Sequence, residues 1–306
     1  LTHGTGSEVN RFAVATVTKL NYKPAIAYDC IYPRYAIDDP ALMAALAPDQ
    51  TRYVSIDAVN HVIEAATSTV SNPLAVLLAR ETIRLVHTWL PKALENPANL
   101  RARYELCFAA LQAGVAFDNG LLHFTHALEH PLSAVCPQLA HGLGLAVLLP
   151  AVILECYPAR PGLLAHILQP LAPDLQGVPA EAHEAARAVE AWLAAVGVPQ
   201  KLEDIGVQET DVPRFCDLVE QTPSLSLLLS ALKSKQIDKR ADLTEEEENA
   251  VIFREIKQAQ ETIDTTPADR VQTIEEAKLR MQVYGEFAPK LMDEDEIRAV
   301  IKEVLA

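Results

Sequence analysis

Four histidines crowd into one short stretch, LLHFTHALEHPLSAVCPQLAHGLGLAVLLP (Leu121–Pro150): His123, His126, His130 and His141. His126 and His130 are four residues apart, so a helix places them on one face, one turn from each other, with His123 near the same edge. Pro131 interrupts the helical pattern, and His141-Gly142 opens another apolar run after a short connection. Upstream, Asp57 and His61 in IDAVNHVIEA again stand at i and i+4. One carboxylate with several neutral imidazoles makes a mixed oxygen–nitrogen shell suited to Fe(II), Zn(II), Mn(II) or Co(II) rather than Ca(II). A single helical His pair is more often surface or satisfied core than ligand. Two pairs plus a His-Gly at a helix entrance favour a metal centre.

The elements that must carry these residues can be read from periodicity and breakers. Residues 12–39 alternate and are rich in aromatic and β-branched residues, which predicts two or three short strands around a turn near Asn21. From Asp49 onward the pattern is helical. Thr51 is expected to cap a helix through Asp57, His61 and Glu64; Asn72-Pro73 starts a second helix that Pro91 bends or ends. Asn96-Pro97 begins a third, closed by a turn at Asp118-Asn119-Gly120, and the histidine helix follows. Leu143–Tyr157 is apolar nearly all round and reads as a buried helix. Pro158 and Pro161 break the chain, Pro179–Val196 forms an amphipathic helix ending at Gly197, and residues 199–221 read as two short helices. His87 is expected to be packed or at the surface, and Cys136 to be a small hydrophobe beside the site.

Three segments carry a resemblance. DAVNHVIEA, HALEHPLSA and AHGLGLAVLLP resemble the metal-binding segments of the iron-dependent (group III) alcohol dehydrogenases. The resemblance implies Asp57, His61, His126 and His141 as metal ligands and His130 as the non-ligand catalytic histidine held near cofactor and substrate. Ala140 stands where the family usually has Pro, and Ser133 where it usually has Gly. The opening LTHGTGSE is similar to the family's cofactor-facing loop, which implies Thr2, Thr5, Gly6 and Ser7 as cofactor-binding residues. Implied cofactors are a divalent metal (Fe2+ first, Zn2+ second) and NAD or NADP. The implied reaction is oxidation of an alcohol or reduction of an aldehyde, with a homodimer allowed. The family's dinucleotide-binding domain, with its G-G-G-S phosphate loop, is not within the 306 residues. Residues 1–40 therefore read as a remnant of that domain, residues 41–221 as the all-helical metal-binding domain, and this chain alone is expected not to turn over alcohol.

After Thr222-Pro223 the chain becomes charged and strongly helical, with a capping box at Thr244 and Glu247 and an apolar stripe of Val251, Ile252, Ile256 and Ile263. A last helix is expected from Met292-Asp293, with Ile297, Val300, Ile301 and Val304 inward. IDKRADLTEEE, REIKQ and PKLMDEDEIRAVIKEVLA are similar to the YqeY/GatB tail family, a helical module also found at the end of the amidotransferase subunit that acts on mischarged tRNA. This implies a third domain over 222–306. Residues 221–306 hold twelve Lys/Arg against eighteen Asp/Glu, a balance that does not favour tRNA contact unless Lys233, Lys235, Lys239, Arg240 and Lys257 cluster.

Composition bounds the rest. A formal charge of −15 and 50% hydrophobic residues suit an acidic protein with a sizeable core, and argue against a general nucleic-acid binder. Abundant Ala, Leu and Glu with only 11 Gly favour a mainly α fold. Five scattered cysteines without a C-x-x-C pair point to reduced thiols and a cytoplasmic setting. No signal peptide and no apolar run of about 18 residues are read, so no membrane is expected. Two functions compete: a metal- and NAD(P)-dependent alcohol dehydrogenase or its metal-binding half, and a non-catalytic helical metal-binding fragment fused to a tRNA-associated adaptor module.

Overall fold

The computed structural model describes residues 5–14, 23 and 25–289. The chain divides into two compact units, Leu1–Val219 and Glu220–Ala306. The fold is mainly α, with one two-stranded sheet among the described residues.

In the first unit, α1 (Pro48–Thr67), α2 (Pro73–Glu95) and α3 (Leu100–Gly120) each pack against the other two. Their inward stripes supply Ile56, Val59, Ile83, Leu90 and Leu106, all buried in one core. Each such side chain contributes about 1.5–3 kcal/mol on leaving water. Asn72 caps α2 by accepting the Ala75 N–H at 3.0 Å, as its place before Pro73 predicts. Pro91 lies inside α2, which continues to Glu95 rather than ending there. The third helix starts later than expected, because Asn99, not Asn96, caps it through the Ala102 N–H. Asp118, Asn119 and Gly120 form its last turn. Thr51 is no cap either. Helix α1 already begins at Pro48, and the buried Thr51 hydroxyl accepts a hydrogen bond at 2.8 Å from the buried guanidinium of Arg103.

Helix α4 (Phe124–Val135) keeps Pro131 within it, so the break comes only after Val135. Then α5 (His141–Cys156), α6 (Pro161–Leu168) and α7 (Ala182–Ala195) complete the unit's helical core. Helix α5 packs on α1, α4 and α7. Its approach to α1 is backbone on backbone: a Cβ at Gly142 would lie 2.1 Å from the Tyr53 carbonyl oxygen. Only glycine permits that seating, and it sets the depth at which the neighbouring His141 enters. The run His141–Ala159 is long and apolar enough to cross a membrane by length and composition, against the sequence expectation. In this fold it is a core helix, with Leu145, Leu149 and Ile153 buried.

Ahead of the helices, β1 (Phe12–Val14) pairs antiparallel with β2 (Ala25–Ala27) in the register Phe12↔Ala27, Ala13↔Ile26, Val14↔Ala25. The third strand considered for 12–39 is not present among the described residues, and the turn near Asn21 lies outside them. Residues 199–221 hold two single 3-10 turns, Glu203–Ile205 and Glu209–Asp211, and then the start of α8 (Val212–Lys239). That helix runs through Thr222-Pro223 without interruption.

In the second unit, α9 (Glu245–Thr265) carries the expected capping box, with Thr244 and Glu247 bonding each other's backbone N–H groups. Helix α10 (Val271–Gly285) packs on α9. A small core of Leu228, Ile252, Val283 and Tyr284 is joined by the partly buried Leu232 and Ile256. The helix expected from Met292 lies outside the described residues.

Candidate metal centre

Asp57 and His61 project from the same face of α1 and are both buried. From α4 comes His126, also buried, its ring stacked on His61 with centroids 4.9 Å apart. His141, the first residue of α5, closes the group and keeps 31% of its side chain exposed. Three imidazole Nε2 atoms face one carboxylate oxygen: Asp57 Oδ1 lies 3.2 Å from His61, 3.5 Å from His126 and 3.9 Å from His141. Asp57 Oδ1 and His126 Nε2 are both buried and have no hydrogen-bond partner. Orphaned polar atoms aimed at one point are costly unless something binds them. A divalent cation fits that donor set, which is one carboxylate oxygen and three imidazole nitrogens.

Two glutamates that the sequence reading did not single out complete the arrangement. Glu64, fully buried on α1, pairs with His126 Nδ1. Its other oxygen accepts the backbone N–H groups of His123 at 3.0 Å, Thr125 at 2.8 Å and His126 at 3.3 Å. The carboxylate thus takes up free donors at the start of α4, where the helix dipole also favours a negative charge. Glu129, buried on α4, pairs with His141 Nδ1 and accepts a hydrogen bond from Ser133. Lys23 donates to it at 3.1 Å. A signal for Glu64 existed: it lies three residues beyond His61 and seven beyond Asp57, on the same helical face. Glu129 lies three residues beyond His126, the same kind of signal, but its partners His141 and Lys23 come from two other segments.

Burial works to raise the Asp57 carboxyl, but the surrounding imidazoles outweigh it and hold the group well below the usual range. Burial pushes His61 down to about 4, against the pull of Asp57. His126 is desolvated as well, yet Glu64 and Asp57 lift it to about 10. His130 is pushed down to about 3 by burial and by the neighbouring His126 and Lys23, so it is a neutral base at ordinary pH.

The remaining expected site residues fall as follows. His130 lines the same cavity, its ring centroid 5.8 Å from that of His141 and 5.9 Å from that of His126. Thr5 and Ser7 also line it, their hydroxyls 3.4 Å apart, and Gly6 between them adopts a left-handed conformation. Thr2 lies outside the described residues. His123 precedes α4 and bonds Thr67 through Nε2 at 2.8 Å. His87 is exposed on α2, as expected. Burial raises the Cys136 thiol, and all five cysteines are free. The cavity measures about 790 Å³, and Phe12, Phe117, Leu121 and Leu122 line it together with the imidazoles.

A family model described as "Fe-containing alcohol dehydrogenase family, C-terminal" matches residues 51–239. A second, "Yqey-like protein", matches residues 219–306. The long-chain primary alcohol dehydrogenase AdhA of Thermoanaerobacter ethanolicus is 58% identical over 230 residues, covering 75% of this chain and 58% of that protein. The 1,3-propanediol dehydrogenase of Klebsiella pneumoniae is 33% identical over 256 residues, covering 83% of this chain and 63% of its own length. Among solved structures, a 1,3-propanediol oxidoreductase superimposes with a TM-score of 0.66 at 34% identity, covering 71% of this chain and 57% of that one. An NADH-dependent butanol dehydrogenase from Thermotoga maritima gives a TM-score of 0.63 at 29% identity, covering 71% and 55%. The chain thus spans somewhat more than half the length of each of these relatives. With the match over residues 51–239 and these likenesses, the chain belongs to the Fe-containing alcohol dehydrogenase family, whose C-terminal region it carries.

Proposed function

We propose that the first unit is the metal-binding part of an NAD(P)-linked alcohol dehydrogenase, with Asp57, His61, His126 and His141 as ligands. One observation carries this reading: three imidazole nitrogens within 3.9 Å of a single buried carboxylate oxygen that has no other partner. A bound Fe2+, or failing that Zn2+, supplies Lewis-acid polarisation of an alcohol or carbonyl oxygen. The chain's residues do the rest. Glu64 and Glu129 hold Nδ1 of His126 and His141, which turns each Nε2 toward Asp57. His130, neutral and facing the cavity, takes the hydroxyl proton from the substrate side. Phe12, Phe117, Leu121 and Leu122 exclude water and receive the aliphatic part of the substrate. The names of the relatives, a long-chain primary alcohol dehydrogenase and an NADH-dependent butanol dehydrogenase, support a primary alcohol or its aldehyde as substrate and NAD rather than NADP. Thr5, Gly6 and Ser7 face that cofactor in this reading, and the free thiols are in keeping with a cytoplasmic enzyme.

Metal analysis of the purified chain tests the ligand set. The wild type is expected to retain close to one equivalent of divalent metal, and His126→Ala and His141→Ala much less. Equal metal content in all three would refute it. Because the chain covers 58% of its long-chain relative, we expect the 306 residues alone to give no NADH formation from primary alcohols. For residues 220–306 we propose a helical adaptor module, a reading favoured by the Yqey-like match. Its acidic balance argues against tRNA as partner, which a filter-binding titration with bulk tRNA checks.

A further inference from the structure

His141 Nδ1 stands between two partners that require opposite things of it. Glu129 is paired to it through Oε2, and the Lys23 ammonium lies 3.0 Å away. A carboxylate can only accept, so it needs a proton on Nδ1. An ammonium can only donate, so it needs the Nδ1 lone pair. A neutral imidazole carries one N–H, and satisfying Lys23 at Nδ1 therefore leaves that proton on Nε2. Nε2 is the atom that faces Asp57 Oδ1 at 3.9 Å. With the proton on Nε2, His141 has no lone pair to offer a cation there.

We propose that Glu129 and Lys23 compete for Nδ1 and thereby set the tautomer of His141, deciding whether its Nε2 is available to a metal ion. The inference rests on His141 being a ligand. Glu129 is the side that favours ligation, and the fold invests in it. The carboxylate is fully buried, its second oxygen takes the Ser133 hydroxyl, and a Cβ at Gly144 would come within 2.9 Å of its Cγ. The glycine one turn along α5 makes the room that brings Glu129 against His141. Lys23 is the opposing side, held at the same carboxylate by a 3.1 Å hydrogen bond. It can donate to Glu129 and leave Nδ1 alone, or donate to Nδ1 and take the imidazole out of the metal site. Lys23 stands two residues before β2 rather than on either histidine helix.

The test is a Co2+ titration of the full chain, read by the visible d–d absorption that reports nitrogen coordination. Glu129→Leu is expected to weaken Co2+ binding about 10–100-fold, the loss typical of an outer carboxylate on a ligating histidine. Glu129→Gln keeps an acceptor oxygen and the side-chain volume, and should recover at least half of that loss on a logarithmic scale. Lys23→Met is expected to tighten binding several-fold. In a His141→Ala background, Glu129→Leu should have no further effect. In metal-free wild type, ¹⁵N shifts should place the His141 proton on Nδ1 for the larger share of molecules, and on Nε2 in Glu129→Leu. Co2+ affinity of Glu129→Leu within twofold of wild type, weaker binding by Lys23→Met, or an unmoved tautomer in Glu129→Leu each overturns the proposal. If His141→Ala binds Co2+ as the wild type does, the ligand assignment itself has failed; if only the Glu129 and Lys23 variants disappoint, the assignment stands and the tautomer control falls.

Discussion

The inner pair, Glu64 with His126, and the outer pair, Glu129 with His141, use the same two side chains under different constraints. Glu64 is held by backbone: three N–H groups at the start of α4 converge on it, so the residue that orients His126 also docks the helix that carries it. Glu129 is held by side chains, Ser133 from its own helix and Lys23 from the N-terminal segment, and its histidine remains partly exposed. The inner pair cannot change without moving a helix. The outer pair can change by moving one lysine. The site thus combines a half held by backbone with a half held by side chains, and on the proposal above the first would fix where a cation sits and the second would govern its access.

The strongest way to break this contrast is at Glu64. Glu64→Ala leaves two buried N–H groups, the part-buried N–H of His123 and the His126 imidazole without a partner, and is expected to cost about 3–5 kcal/mol in denaturant unfolding of the metal-free chain, together with loss of metal. Glu129→Ala should cost less than half as much, because no helix start depends on it. Similar losses from the two substitutions would erase the distinction between the halves.

Gly142→Ala comes next. A methyl 2.1 Å from the Tyr53 carbonyl oxygen forces α5 away from α1, which should cost about 1–3 kcal/mol and draw His141 out of the site. Metal content should drop while the His61–His126 stacking is kept. Retention of full metal content would show that the outer ligand tolerates a shifted helix.

A pH series on metal-free protein sharpens the comparison. His126, raised to about 10, contributes stability that is fully present below its unfolded value near 6.5 and is lost as pH climbs toward 10. His61, depressed to about 4, is buried neutral, so stability falls as pH drops from 6.5 toward 4. Glu129, lowered to about 2, has its contribution in place above about 4.5 and loses it progressively as pH falls from 4.5 to 2. Melting temperatures should therefore peak near pH 6.5 and fall on both sides, and Glu129→Gln should leave the alkaline limb unchanged. An alkaline limb that flattens in Glu129→Gln but not in His126→Asn would reverse the assignment of the two halves.

The smallest effect belongs to the second unit, where no buried charge is at stake. Ile256 is only partly buried against Leu228 and Ile252, so Ile256→Ala should cost about 1–2 kcal/mol, below the 2–4 expected were it fully enclosed. Limited proteolysis should cut first at 266–270, between α9 and α10, and not at Thr222-Pro223, which lies inside α8.

Local pattern carried the sequence reading a long way. Spacing alone put Asp57 with His61, and His126 with His130, on common helical faces, because a 3.6-residue period is a property of the backbone and needs no tertiary information. The caps at Asn72 and Thr244 were legible for the same reason: a short polar side chain satisfies N–H groups two or three residues along its own chain. The resemblance named the family to which the chain belongs. Where the reading failed, it assumed that a proline or a threonine acts by itself. Pro131 sits inside a helix, α2 does not end at Pro91, and Thr51 serves Arg103 of α3 rather than the start of its own helix.

What the tertiary structure alone decided is which nitrogen of His126 and of His141 faces the centre. That choice depends on Glu64 and Glu129, whose partners lie up to 62 residues away in the chain, and on Lys23, which lies 106 residues from Glu129 and 118 from His141. A histidine is written in the sequence as a residue type. The orientation of His126 and of His141 is set by a buried carboxylate on the far side of the ring, and only packing brings that charge there.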